Sequence, residues 1–328
     1  MLSVFPQDLE TVEIYRDFLP RRVIDAHVHL DRTKNIPHTF NPKGVFCKDT
    51  TVDTYIADVS PFFPNVEQFG IHAFPLPDVD MNDKSNGMRD SANQHVLTQA
   101  QTHPLTAGSV YVMQGDTKAD IERMIASDAI RGLKCYWFSS GNPDGEACSI
   151  LHYLPESAWE IANARRMPIV LHMMHLHALS DDRNLSYILS MTKKYPQAQL
   201  ILAHCARAFA PWTVIKSVRA LSDRENVWFD TAAICEPSPM MACMLTHAER
   251  RLLWGTDYPI CLNRGKVISV GTRFHWLVGD QVPAGVAPST VLAESLLALY
   301  QSALLLDLDQ TQIDRIFYHN AAELLKLQ

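Results

Sequence analysis

Eight short apolar runs, separated by longer amphipathic stretches, constrain the fold of this chain more than any other feature. The runs are rich in Val, Ile, Leu and aromatic residues, which is typical of strands buried in a parallel sheet. They cover residues 23–30, 69–75, 106–113, 130–137, 168–174, 199–206, 226–232 and 251–259. Strands that alternate with helices predict βα units, and eight such units close a TIM barrel.

The stretches between the runs have the pattern of helices that cover such a barrel. They lie at about 85–102, 117–127, 156–165, 184–195, 211–221, 238–248, 289–304 and 310–327. Because no repeat, low-complexity tract or linker divides the chain, we predict one α/β domain over residues 1–328, a (β/α)8 barrel. The long segments 31–66 and 260–288 both follow strands, so we expect them at the carboxyl face, where barrel active sites lie.

Composition and charge narrow the class of protein and its partners. Hydrophobic residues make up 47% of the chain and charged residues 20%, as in soluble globular enzymes. The formal net charge of -7, with no basic stripe, argues against nucleic acid as a partner. We therefore expect a small-molecule substrate. A symmetric homodimer remains open, since small oligomers of this kind are common.

The sequence also indicates where such a protein would reside. No stretch approaches the ~20 apolar residues that span a bilayer, and the amino terminus lacks the basic start and apolar core of a signal peptide. The seven cysteines are scattered and form no CxxC pair, which is typical of free thiols in a reducing compartment. We expect a cytoplasmic protein without a membrane partner.

Histidines and an aspartate stand at the ends of four of the eight predicted strands. His27 and His29 are two residues apart in the first strand, so both side chains point to the same face. His172 ends the fifth strand, His204 the sixth and Asp257 the eighth. Imidazole nitrogens and a carboxylate oxygen suit one divalent ion, Zn²⁺ first, with Mn²⁺ or Fe²⁺ as alternatives.

Each of these residues has an ordinary structural interpretation when it is taken singly. A lone strand histidine is more often a hydrogen-bonded core residue than a ligand, and a GTD triplet is often a turn with an aspartate cap. The carboxyl ends of barrel strands meet at one face, however, and all of these residues fall there. Their joint occurrence favours a metal site over the separate structural interpretations.

The segments that carry these residues resemble the amidohydrolase superfamily along nearly the whole chain. They are IDAHVHL, IVLHMM, LILAHCA, NVWFDTA, LLWGTDYP and HNAAELLKL. The resemblance is to the amidohydrolase-related branch, which holds metal-dependent hydrolases, lactonases and nonoxidative decarboxylases. It implies a barrel whose metal is bound by His27, His29, His172 and Asp257. It also implies that His204 is a catalytic histidine rather than an obligate ligand.

This resemblance predicts an enzyme. Two enzymatic functions and one non-catalytic function follow in order of preference. The first is hydrolysis of a lactone, ester or amide bond by metal-activated water, with Asp257 as general base and His204 polarising the carbonyl or orienting the water. The second is nonoxidative decarboxylation of an enol or aromatic acid. The third is a barrel that binds a ligand without catalysis, which the retention of every ligand type disfavours.

Cationic side chains near the predicted mouth suggest contacts with an anionic substrate. We expect Lys134, Arg207 and Arg264 to bind it, because ammonium and guanidinium groups pair with carboxylates. Lys134 has an alternative, since some amidohydrolases carboxylate a lysine there to bridge two metals. His175 and His177 are expected to line the mouth or face solvent rather than bind metal.

Two acidic residues and several aromatic residues are also expected near the predicted metal site. Asp25 lies on the same face as His27 and is expected to orient a ligand from behind, as carboxylates near metal-bound imidazoles often do. Asp230 would do the same or form a buried ion pair. The candidates for an aromatic pocket, each with core packing as the alternative, are Tyr136, Trp137, Phe138, Trp212 and Trp276.

Overall fold

Eight parallel strands form one sheet in which neighbours along the chain are neighbours in space. The computed structural model describes residues 4–32, 49–76, 79–142, 148–247 and 249–327. The strands are β1 (Arg22–His29), β2 (Gln68–Phe74), β3 (Thr106–Tyr111), β4 (Ile130–Cys135), β5 (Pro168–Leu171), β6 (Gln199–Leu202), β7 (Val227–Asp230) and β8 (Leu252–Leu253). The eight predicted strands and the (β/α)8 barrel are confirmed.

The barrel closes between β1 and the residues that follow β8. Only two residues of the predicted run 251–259 form the strand β8, and the chain then continues as irregular backbone. The amide of Asp257 donates to the carbonyl of His27 at 2.9 Å, and the amide of His29 donates to the carbonyl of Tyr258 at 2.8 Å. We call the two facing segments, 22–29 and 254–258, the closing seam.

Helices cover the outside of the barrel, close to the ranges that the sequence predicts. They are Pro6–Tyr15, Val52–Val59, Met88–Thr102, Lys118–Met124, Glu156–Arg165, Asp182–Lys194, Trp212–Ser217, Pro237–His247, Val291–Leu305, Gln310–Asp314 and Asn320–Leu325. Among the described residues, none of these helices is long and apolar enough to cross a membrane. The predicted helix 310–327 is interrupted by a wider π-helical turn over Arg315–His319.

Several helices begin where a polar side chain caps the first turn. The hydroxyl oxygens of Thr51, Thr117 and Thr290 accept bonds from backbone amides of the first turn, as do the carboxylates of Asp181 and Asp309. Such a bond satisfies an amide that has no partner within the helix, and each cap stabilises the helix by about 1 kcal/mol.

The barrel interior changes from apolar to polar along the strand direction. Ile24, Val170 and Ile201 are fully buried in a cluster that also contains Leu324 and Leu325 near the chain's carboxyl end. Each fully buried side chain of this kind stabilises the fold by about 1.5–3 kcal/mol. Charged and polar groups lie together at the opposite end of the barrel, where the strands end and the candidate site is found.

Both long segments at the carboxyl face contain regular structure. The part of 31–66 that is described contains the helix Val52–Val59, while residues 33–48 lie outside the described residues. The segment 260–288 contains an antiparallel hairpin of β9 (Gly265–Val270) and β10 (Arg273–Val278). The sequence carries a signal for it, because β-branched and aromatic residues flank the turn pair Gly271 and Thr272.

The base of this hairpin requires glycine, which gives a test of the fold. Gly265 has a φ of +141°, and a Cβ there would lie 1.9 Å from the carbonyl oxygen of Leu277. We expect Gly265→Ala to lower the free energy of unfolding by ~2 kcal/mol or more, measured by urea denaturation. The control is Gly271→Ala, at φ +61° with open space around it, for which we expect a loss of ~1 kcal/mol. Equal losses would contradict the tight hairpin base.

Candidate metal centre

Four histidines and one aspartate converge at the carboxyl end of the strands. Asp257 Oδ1 lies 3.2 Å from His29 Nε2 and 3.4 Å from His27 Nε2. His204 Nε2 lies 3.3 Å from His172 Nδ1. One ligand atom each from His27, His204 and Asp257 falls within 4.8 Å of the others, which is the spacing of groups around a single cation.

Burial makes these imidazoles suitable metal ligands. Burial lowers the pKa of His27 and His172 well below the ordinary value, and the neighbouring Lys134 and His204 lower these two values further. Burial also lowers the pKa of His29, against the opposing influence of Asp257. Neutral imidazole is the form that binds metal, so no proton has to be displaced near neutral pH.

One orphaned atom supports the fit to a cation. His27 Nε2 is fully buried and has no hydrogen-bond partner among the described residues, although it faces the other ligand atoms. A buried polar atom without a partner is costly, and a metal ion at this point would remove the cost. The donor set of imidazoles and a carboxylate fits Zn²⁺, Mn²⁺ or Fe²⁺.

The carboxylate of Asp257 is held in its ionised form. Burial alone would raise its pKa, but the hydrogen bond with His29 and the electrostatic influence of His204 and His27 outweigh burial and lower the pKa below the usual range. An ionised carboxylate can bind a cation or accept a proton. Asp257 also has a φ of +66°, so the backbone turns sharply at this residue.

Hydrogen bonds to backbone carbonyls fix which ring nitrogen of His29 and of His204 faces the centre. His29 Nδ1 lies 3.1 Å from the carbonyl of Pro75, and His204 Nδ1 lies 2.9 Å from the carbonyl of Ala232. Because a carbonyl oxygen only accepts, both Nδ1 atoms donate a proton to it, and the Nε2 atoms are the ones turned toward the other groups of the centre. These bonds therefore prepare His29 and His204 for the centre.

Asp230, at the end of β7, supports two of the histidines from behind. One carboxylate oxygen lies 2.9 Å from His27 Nδ1. The other accepts bonds from the amides of His204 at 2.8 Å and Ala232 at 3.1 Å. Both interpretations offered by the sequence are therefore met, because Asp230 is a buried, paired carboxylate and also orients His27.

A left-handed turn presents His204 and Arg207. His204, Cys205, Ala206 and Arg207 have φ values of 58°, 49°, 64° and 58°, a region that residues with side chains seldom occupy. Each residue in this conformation lowers the stability of the fold by about 1–2 kcal/mol. The hydrogen bond from the backbone amide of His204 to the Asp230 carboxylate helps to hold the turn. The turn points His204 to the centre and Arg207 to the cavity above it.

The centre lies at one end of a cavity of about 450 Å³, the size of a small-molecule site. His29, His172, His204 and Asp257 line its polar end. The rest of the lining is mostly apolar and includes six aromatic side chains: Tyr136, Trp137, Phe138, Phe209, Phe274 and Trp276. Phe209 and Phe274 were not predicted to line the cavity, because the sequence pattern predicted neither the β9–β10 hairpin nor the left-handed turn.

Only one of the three cations expected to bind substrate lines this cavity. Arg207 does so, with a nitrogen 3.1 Å from the carbonyl of His175 and its guanidinium 5.2 Å from the centre of the Phe274 ring. Arg264 instead forms a two-pronged ion pair with Asp8, at 2.6 and 3.0 Å, and lies over the Phe5 ring. We therefore do not retain Arg264 as a substrate contact.

Lys134 lies beneath the centre rather than on the wall of the cavity. Its side chain is fully buried, with Nζ 4.3 Å from the centre of the Phe74 ring and no hydrogen-bond partner among the described residues. Burial lowers the pKa of Lys134 to about 8, while Asp230 and Asp257 oppose this shift. Direct contact with substrate at the cavity wall is therefore not retained for Lys134, and its carboxylation stays an untested alternative.

The remaining candidates lie beside the cavity. His175 Nδ1 pairs with Asp181 at 3.0 Å, and the His177 ring packs on Trp212, whose indole donates to the carbonyl of Thr272 at 3.1 Å.

Six of the seven cysteines are described, and all six are buried free thiols. Cys47 lies outside the described residues.

The family of the chain follows from comparison with known proteins. A model of the amidohydrolase family matches residues 24–327. Because the match covers most of the sequence, the chain belongs to the amidohydrolase family, as the sequence motifs predict. A comparison with curated proteins finds no match.

Solved structures share the fold at low sequence identity. A 2,6-dihydroxybenzoate decarboxylase from Rhizobium is 12% identical, with 94% of this chain and 99% of that chain covered at a TM-score of 0.63. A dihydroxybenzoic acid decarboxylase from Polaromonas sp. JS666, with bound manganese and the inhibitor 2-nitroresorcinol, is 13% identical. The match covers 94% of this chain and 98% of that chain at a TM-score of 0.60. A Pseudomonas putida protein provisionally assigned as a 2-pyrone-4,6-dicarboxylic acid hydrolase is 15% identical. The match covers 94% of this chain and 99% of that chain at a TM-score of 0.56. The fold is therefore shared by decarboxylases and an assigned hydrolase.

The lowered pKa values of the histidines predict how metal affinity depends on pH. Three ligand histidines with an ordinary pKa near 6.5 would lose roughly a thousandfold in affinity between about pH 7.5 and pH 5.5, because protons compete for the nitrogens. Burial keeps these imidazoles neutral over that range, so we expect a loss below about thirtyfold. Competition with a chromophoric chelator at the two pH values measures it, and a thousandfold loss would contradict the lowered pKa values.

Proposed function

We propose that this protein is a metal-dependent hydrolase that cleaves a lactone, ester or amide bond in a small carboxylate-bearing molecule. The observation that carries the proposal is the meeting of neutral imidazoles and an ionised carboxylate at the polar end of a small-molecule cavity. His27, His29, His172 and Asp257 would hold the ion. When bound, a divalent ion polarises a carbonyl oxygen and acidifies water.

The chain's own residues supply the proton transfers that hydrolysis needs. Asp257 is ionised and lines the cavity, so it is placed to accept the proton of the attacking water. His204 Nδ1 donates to the carbonyl of Ala232, so Nε2 is the ring nitrogen that faces the same space, 3.3 Å from His172 Nδ1. From this position His204 would orient the attacking water or polarise the substrate carbonyl. The leaving oxygen or nitrogen then takes up the proton that Asp257 has accepted.

The cavity wall indicates the kind of molecule that binds. Phe209, Phe274 and Trp276 form an aromatic face in which neighbouring ring centres lie 5.1–5.5 Å apart. Such a face favours flat, conjugated molecules through ring stacking. Arg207 extends from the same wall, and its planar guanidinium matches a carboxylate. We therefore propose a flat substrate with a carboxylate at Arg207 and the reacting carbonyl near Asp257.

The apolar lining favours a second candidate, nonoxidative decarboxylation. A carboxylate placed among aromatic side chains loses hydration, and its departure as CO₂ removes the charge from that environment. The electron pair of the broken bond remains on the ring carbon, which then takes up a proton. The cavity geometry is compatible with both reactions, so the products distinguish them.

Metal removal and product analysis test the proposal together. Purified protein should contain about one divalent ion per chain, and chelation should abolish turnover of a panel of aromatic and conjugated lactones, esters, amides and acids. Acid release without CO₂ supports hydrolysis, and CO₂ release supports the second candidate instead. Turnover that survives complete chelation would contradict both.

The role of Asp257 has its own test. Asp257→Asn keeps the size of the side chain but removes the base, so we expect turnover at saturating metal to fall by ~10²–10⁴. Metal content is measured in the same sample, because a fall caused only by metal loss is reversed by excess Zn²⁺ or Mn²⁺. A decrease below about tenfold in the metal-saturated variant would exclude Asp257 as general base.

Arg207 is tested by binding rather than by turnover. Benzoate is the probe and benzamide its uncharged counterpart, with binding followed by the fluorescence of the cavity tryptophans. Arg207→Gln should weaken benzoate binding ~10–100-fold and leave benzamide nearly unchanged, since a bond to a charged group is lost. The matched control is Arg183→Gln, because Arg183 is half-exposed and pairs with Asp181 beside the cavity. Equal effects on both probes would contradict carboxylate recognition.

A further inference from the structure

Asp25, two residues before the first candidate ligand, accepts four hydrogen bonds although it is fully buried. One oxygen accepts from the amides of His27 and Thr256, both at 3.0 Å. The other accepts from the hydroxyls of Thr256 at 2.6 Å and Tyr55 at 3.0 Å. A buried carboxylate with four donors directed at it is held far more tightly than the core needs for packing alone.

The partners of Asp25 lie on both sides of the closing seam. His27 belongs to β1, and Thr256 belongs to the segment after β8. Tyr55 comes from the helix Val52–Val59 and packs edge-to-face on Tyr258 with ring centres 5.3 Å apart. The side chain of Asp25 therefore joins three segments that are distant in sequence.

The candidate metal ligands are divided across this seam. His27 and His29 lie on one side and Asp257 on the other, so their separation depends on how the two segments are held. Hydrogen bonds between the two backbones, such as the one from the Asp257 amide to the His27 carbonyl at 2.9 Å, fix how the two segments are aligned. Gly255 allows the close approach, because a Cβ there would lie 3.0 Å from the Cβ of His27.

We propose that Asp25 is a positioning residue that clamps the closing seam and thereby sets His27 and Asp257 at the distance a metal ion needs. The inference rests on the proposed metal-dependent function. Within the described part of the chain, the four hydrogen bonds of Asp25 reach no ligand side chain, so Asp25 acts through the backbone amide of His27 and through Thr256, the residue before Asp257. Closing the barrel and forming the metal site are then one structural event.

A carboxylate suits this position because all four groups present a hydrogen to it. An asparagine offers one acceptor oxygen, and its amide group would face a donor. The Thr256 hydroxyl is not free to turn, because it also accepts the amide of Tyr258 at 3.0 Å. Asp25→Asn should therefore loosen the link between His27 and Asp257 while keeping the volume of the side chain.

The competing explanation is that Asp25 only stabilises the fold, and Asp116 gives a matched control. Asp116 is also a buried carboxylate, and it accepts from Arg89 at 2.7 and 3.0 Å and from the amide of Met113 at 2.8 Å. It lies after β3, away from the closing seam. Loss of either carboxylate should lower stability, but only the loss of Asp25 should change metal affinity.

The experiment measures Zn²⁺ and Mn²⁺ affinity by competition with a chromophoric chelator, together with the melting temperature with and without metal. We expect Asp25→Asn to weaken metal binding ~10–100-fold, as is typical when a group that supports a ligand is lost. Thr256→Val and Tyr55→Phe, which each remove one of the four groups that donate to Asp25, should weaken metal binding about two- to tenfold. Thr256→Val also removes the acceptor of the Tyr258 amide, so Tyr55→Phe is the cleaner of the two. Asp116→Asn should keep its affinity within about threefold of the unmodified protein.

The outcomes separate this inference from the proposed function. An affinity of Asp25→Asn within about threefold of the unmodified protein would overturn the clamp and leave the metal-dependent function standing. If Asp25→Asn does not fold, Thr256→Val and Tyr55→Phe decide, and unchanged affinity in both overturns it. Unmodified protein that binds neither metal refutes the clamp and the proposed function together. Additive losses in Asp25→Asn combined with Thr256→Val would also contradict one shared linkage.

Discussion

The hydrogen bonds that close the barrel between β1 and the segment after β8 are the constraint on which the site depends. An open parallel sheet of eight strands has two edges. Here the two edges are joined by hydrogen bonds between backbones, such as the one from the Asp257 amide to the His27 carbonyl. Two histidines come from one edge and the carboxylate from the other. The same bonds that remove the sheet edges therefore bring the candidate ligands together.

Desolvation explains both the fold of the interior and the chemistry at its polar end. Apolar side chains fill the barrel where the strands begin, and the polar groups lie together where the strands end. Burial lowers the pKa of His27, His29 and His172 and would raise that of Asp257, but the surrounding imidazoles reverse its effect on Asp257. The outcome is a set of nitrogens with a low affinity for protons beside a carboxyl group that ionises readily, which is what a divalent cation requires.

The substrate end of the cavity has a different origin from the metal end. It is formed by the β9–β10 hairpin and by the left-handed turn at His204–Arg207, which bring Phe274, Trp276 and Arg207 to one wall. The hairpin contributes no residue to the metal end, whereas the turn also presents His204 to it.

The sequence by itself determined the eight strands, their order, and which strand ends carry histidine or aspartate, because periodicity and residue type are local properties. It also indicated Asp25 and Asp230 as supports of the ligands, but the spacing of two residues does not fix the face of Asp25, because β1 is irregular between Asp25 and Val28. The tertiary structure alone decided that Arg264 pairs with Asp8, that Lys134 lies beneath the centre, and that Arg207 reaches the cavity. The directions of long side chains and the path of an irregular segment depend on contacts between residues far apart in the chain, and no local pattern specifies those contacts.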